Sequence, residues 1–197
     1  MNIAMPSSRL SPFVSIILLV AALVFSAAPS LAASQPEPNN QDAQRQAMSK
    51  LSFLAGRWSG PLTVFRGPGQ ALHLTQTENV QYKLGGLVLL VEGKSTAPDG
   101  KDVFQALATI AYDEASHGYR IRAYHAGHYL DTALNLRADG FSWGFNAGPA
   151  HIVNNMRLTG KGEWREVTET TVGNNPPHPS VQMVLHRLEE APQSAKK

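Results

Sequence analysis

The chain has 197 residues, 43% of them apolar and 16% charged, which is too much to bury and too little charge for a disordered polymer. It has no cysteine, which excludes a disulfide scaffold, thiolate metal sites and thiol catalysis. A formal net charge of +2 leaves no basic face of the strength that nucleic-acid binding requires.

At the N-terminus, Arg9 is followed by an uncharged run over residues 13–25 (FVSIILLVAALVF) and then by Ala27, Ala28, Pro29 and Ser30. This is the layout of a signal peptide spanning 1–32. Ser30-Leu31-Ala32 puts small residues at both positions a signal peptidase reads, so cleavage is expected after Ala32. The 13-residue run is shorter than the ~20 residues of a spanning helix, and a lipid anchor would need a cysteine. No stable membrane anchor is therefore expected after cleavage, and the expected location is the periplasm or the exterior.

Residues 33–42 and 189–197 carry almost nothing that can pack and read as disordered tails flanking a domain at 43–188. Residues 42–55 (DAQRQAMSKLSFLA) read as one short helix, with Asp42 as a cap and a stripe of Ala47, Met48, Leu51, Leu54 and Ala55. Beyond it, glycines recur with Pro, Asn or Asp at about ten-residue intervals, as consecutive hairpins require. The intervening segments predict ten strands at 58–66, 71–83, 87–96, 103–112, 119–126, 129–137, 141–147, 150–159, 163–171 and 181–188. Alternation is clear in several: Phe104, Ala106, Ala108, Ile110 and Tyr112 share one face, as do Glu78, Val80, Tyr82 and Leu84.

Ten antiparallel strands form either a sandwich or a closed barrel, and periodicity alone does not choose between them. The helix stripe runs directly into Phe53-Leu54-Ala55-Gly56-Arg57-Trp58-Ser59-Gly60, which places an amphipathic helix where it can close one end of a barrel above Trp58. The expected fold is all-β: an antiparallel closed barrel of about ten strands with one short N-terminal helix.

The Leu54-to-Gly60 entry, the Gly85-Gly86 turn before an apolar strand and the Ala111-Tyr112-Asp113 strand end resemble bacterial exported calycin-like β-barrels. More distantly, the chain is similar to nitrobindin-like heme barrels. The resemblance spans about residues 48–188 and implies a ten-stranded barrel with an internal cavity; many of its members have no assigned function. It also implies an iron-binding histidine near the start of the last strand. This chain has Ser180 there, which leaves His178 or His186 as the residues through which heme would be held, and no cofactor is expected.

A barrel of this size leaves interior space for a small hydrophobic molecule. With Trp58 inward, parity places Tyr82, Tyr112, Phe141 and Trp143 as candidate ligand-binding residues, unless these rings simply fill the core. The polar candidates lie in the stretch 120–131, which holds Tyr124, His125, His128, Tyr129 and Asp131. His125 and His128 reach one ion only if Gly127 makes a turn or bulge, and no metal site is expected. His151, Asn154 and Asn155 are a polar run that would suit either the barrel mouth or a turn. Glu163, Arg165, Glu166 and Glu169 read as a solvated exterior. Three functions remain open: a binding module for a small hydrophobic ligand, a barrel enzyme using His125 or Tyr129 as acid or base, and a structural barrel with a full core. No catalytic residue and no oligomeric state follows from the sequence.

Overall fold

The computed structural model describes residues 40–189; residues 1–32, where a signal peptide is expected, and most of the two expected tails lie outside them. Helix α1 spans Gln41–Ser49, and ten strands follow: β1 Gly56–Gly67, β2 Gln70–Lys83, β3 Val88–Thr96, β4 Asp102–Asp113, β5 Gly118–His125, β6 His128–Arg137, β7 Gly140–Ala147, β8 Ala150–Leu158, β9 Trp164–Val172 and β10 His178–Arg187. Every strand pairs antiparallel with its neighbours in sequence, and β1 also pairs with β10, so the sheet closes. That last pairing decides between barrel and sandwich: no strand keeps an open edge. Among the described residues, no helix is long and apolar enough to cross a membrane.

Three sequence expectations are corrected. The helix ends at Ser49 rather than Ala55, and Ser52–Leu54 form a separate 3-10 turn. This break drops Met48, Leu51 and Leu54 together onto the barrel, where all three are inaccessible to solvent. Asp42 lies within the first helical turn and pairs with Arg45 at 2.8 Å instead of capping. The last strand, expected to start at 181, starts at His178, which pairs with Thr170.

Each of the ten strands contributes at least one side chain that is almost completely buried, from Trp58 of β1 and Val80 of β2 through Ile110 and Met156 to Trp164 and Leu185. These form a band filling the barrel's lower part, and α1 seals it from below. The Tyr82 and Tyr119 hydroxyls donate to the Met48 and Ala47 carbonyls, each at 2.7 Å, and so tie the last helical turn to β2 and β5. At the helix C-terminus these two carbonyls accept the backbone N–H groups of Lys50 and Leu51 three residues on, and each keeps a second lone pair free for such a tie. Trp58 Nε1 donates to the Leu54 carbonyl at 2.8 Å, and the Arg187 guanidinium lies 4.2 Å over the Trp58 ring.

Because the helix covers the end formed by the β2–β3, β4–β5, β6–β7 and β8–β9 connections, the opposite end remains open. Its rim consists of the remaining turns. One of them, Ala126-Gly127 between β5 and β6, has φ of +47° and +80° at its two residues, the mirror-image turn that matches the twist of a hairpin.

Candidate functional site

Above the buried band, the barrel encloses a cavity of about 790 Å³, open at the rim and lined mostly by apolar side chains. Its volume lies within the range of small-molecule sites. The space exists because β3, β4 and β5 place Gly93, Ser95, Ala106, Ala108 and Ala123 on the inner face, opposite larger residues such as Phe141, Trp143 and Met183. A wall of small side chains leaves unfilled what the opposite wall cannot span.

Polar groups are set deep in this apolar space. Ser95 donates to Gln76 Oε1, and Gln76 Nε2 donates to Glu78 Oε1 at 2.7 Å, so a chain from β3 to β2 ends on a carboxyl. Glu78 Oε2 is buried and has no hydrogen-bond partner. A side chain at Gly93, across the β2–β3 pair, would put its Cβ 2.9 Å from both Glu78 carboxyl oxygens, so glycine there makes the room that the carboxyl occupies. On β9, Glu166 also lines the cavity and accepts a bond from Trp164 Nε1 at 3.1 Å. On the same wall, across the β8–β9 pair, Thr168 donates to Asn154 Oδ1 at 2.7 Å.

Burial pushes the Glu78 carboxyl up from 4.5 to about 7, against the lowering effect of the Gln76 bond; the Glu166 charge adds to the rise. Burial likewise raises Glu166 to about 7, partly offset by the Trp164 bond. In both cases the cause is loss of hydration by the charged form. The expectation that Glu166 belongs to a solvated exterior is therefore corrected. It shares parity with the inward Trp164 and Thr168, while Glu163 and Arg165 pair with each other on the outer wall at 3.1 Å.

The sequence candidates divide between two levels. Phe141 and Trp143 line the cavity, and His125 and Tyr129 border its mouth. Trp58, Tyr82 and Tyr112 lie below it: Trp58 packs edge-on against Trp164 with ring centroids 5.7 Å apart, Tyr82 anchors the helix, and Tyr112 packs edge-on against Tyr119 at 5.4 Å. The turn at Gly127 does form, so His125 and His128 are direct cross-strand partners on the inner face of the rim. His125 stacks on Phe104, with ring centroids 4.2 Å apart, and its Nδ1 bonds the Gln105 carbonyl at 2.7 Å. Tyr129 pairs with Tyr124 on the opposite face of that hairpin and is 74% exposed. Asp131 is also on the outside, holding Arg120 and Arg122. Asn154 faces the cavity, whereas His151 bonds Asn146 Oδ1 at 2.8 Å near the rim.

The residues do not fit a heme held from the last strand. Ser180 donates to the Thr168 carbonyl and accepts from Thr170 Oγ1, His186 pairs with Ser59 on the outer face, and His178 is exposed at the rim. The histidines that line the cavity, among the described residues, are His125 and His128, and the deep polar groups are carboxyls and amides. Likewise, among the described residues no group of three or more His, Asp or Glu is placed to hold a metal ion.

No family model matches the chain, and no curated protein does. Among solved structures, it is similar to the crystal structure of Rv2717c from M. tuberculosis, with a TM-score of 0.57 and 16% sequence identity. The match covers 73% of this chain and 98% of that one. At this identity the likeness is one of fold: a closed antiparallel barrel.

Proposed function

We propose that this protein binds a small, largely apolar molecule inside its barrel, as an exported relative of the calycin-like barrels. The observation that carries the reading is the cavity of about 790 Å³, apolar over most of its lining, sealed at one end by α1 and open at the other. A core filled by its own side chains would leave no such space. Phe141 and Trp143 supply flat apolar surface along one wall, and His125 provides a polar contact at the entrance.

The test is a titration of tryptophan emission, since Trp143 and Trp164 both line the cavity, with medium-chain alcohols, fatty acids and retinoids. Saturable quenching or a spectral shift is expected with at least one class. It should be abolished by Ala108→Phe, which places a ring in the space left by the small-residue wall. Absence of saturable binding across the panel, or binding that Ala108→Phe leaves unchanged, would exclude an internal site.

A further inference from the structure

We infer that the molecule bound in the barrel carries a protonated amine, or a comparable cationic nitrogen, that enters first and lodges against Glu78 and Glu166. This inference rests on the binding reading above and specifies the ligand's chemistry.

The deep polar groups offer acceptors. Glu78 lines the cavity, and its Oε2 is buried without a partner among the described residues, although the other oxygen is held by Gln76. A buried acceptor without a donor forfeits its hydration with nothing in return, so a fold that retains one is set up to receive a donor. Gly93 supports this. Any larger residue there would crowd the carboxyl, whereas glycine keeps it seated in the wall, its orientation set by the Gln76–Ser95 chain. Glu166 places a second carboxyl in the same cavity, on β9, and a single indole N–H is the hydrogen bond that its side chain receives.

The sign of the site follows from what faces it. Among the described residues the cavity lining contains no lysine or arginine, and its remaining titratable groups are His125, His128, Tyr124 and Tyr129 at the mouth. A carboxylate-headed ligand reaching the floor would meet two acids and no cation. An alcohol would satisfy Glu78 Oε2 but gain no charge attraction. An ammonium brings several donors on one atom and a charge that favours ionisation of both glutamates, with Coulomb attraction strengthened by the low-dielectric surroundings. The apolar walls take the hydrocarbon body.

The experiment compares decylamine, decanol and decanoate at neutral pH, all below the concentrations at which they self-associate, by tryptophan emission and calorimetry. Decylamine should bind at least tenfold more tightly than decanol, with decanoate the weakest. Glu78→Gln and Glu166→Gln, which keep side-chain shape, should each reduce decylamine affinity about tenfold and leave decanol within about twofold. Decanol should displace decylamine, which excludes attachment to exterior acids. The inference is overturned if decanol or decanoate binds as well as the amine, if both glutamine variants leave the amine unaffected, or if the amine is not displaced. In those cases the apolar-ligand reading survives. Failure of all three compounds to bind also overturns the inference, while the apolar-ligand reading is then decided by the wider panel, retinoids included.

Discussion

Replacing Glu166 by Gln tests the interior electrostatics without any ligand. Both buried carboxyls are raised from 4.5 to about 7, so over the interval between these values the folded barrel keeps protons that the unfolded chain has released. The stability gained from holding those protons is fully present below about pH 4.5 and is lost as pH rises through about 7. For Glu166 alone the change amounts to ~3 kcal/mol, at about 1.4 kcal/mol per pH unit between its two pKa values. Glutamine has the same shape, stays neutral and can still accept the Trp164 N–H bond. The Glu166→Gln variant should therefore match wild type at about pH 4 and be more stable by about 2–3 kcal/mol at about pH 8. Glu78 keeps part of the slope, reduced because its charged neighbour is gone. Urea unfolding at a series of pH values, with the slope checked for constancy, measures the difference directly. Carboxylates lowered by exterior partners, such as Asp131 beside its two arginines, act at lower pH and cancel between the two proteins. Stability curves for wild type and variant that run parallel across the interval would show that Glu166 is hydrated, and the account of the cavity floor would fail.

Two further outcomes follow from the closed end. Trp58→Ala removes a ring that is 1% exposed, bonded to Leu54, packed on Trp164 and covered by Arg187, and should cost roughly 3–5 kcal/mol; an unchanged unfolding midpoint would contradict that burial. Tyr82→Phe and Tyr119→Phe each delete one hydroxyl tie to the helix and should cost about 0.5–1.5 kcal/mol. Hydrogen exchange should then quicken over residues 41–49 while the barrel strands stay protected, and unchanged protection of the helix would mean that the tyrosines do not hold it.

The strands were legible in the chain because their two signals are local. Glycine with Pro, Asn or Asp marks each reversal, and the alternation of segments such as Phe104 to Tyr112 follows from a pleat that sends neighbouring side chains to opposite faces. Phe141 and Trp143 were found as cavity residues by that same parity, and the condition attached to His125 and His128, a turn at Gly127, is met. Parity gives the face but not the height. Trp58, Tyr82 and Tyr112 are inward as expected, yet the stagger of the closed barrel sets them in and below the plug, and stagger is fixed by the pairing of β1 with β10.

Glu78 and Glu166 show what only the tertiary structure decided. Each sits on the inward parity of its strand, Glu78 with Val80 and Glu166 with Trp164, so the signal was present in the sequence. A glutamate on a strand is ordinarily solvated, because burying its charge costs several kcal/mol without a partner. That rule made the exterior the natural reading for Glu166. What overrides it is closure: the two strands are far apart in sequence but are separated in the barrel by only β10 and β1, so both carboxyls turn into one apolar-walled cavity. The sequence by itself determined the strands, their faces and the sealing helix, since these depend on neighbours a few residues away. The pairing of the first strand with the last determined which inward residues meet, at what depth, and hence that an apolar cavity has an acidic floor.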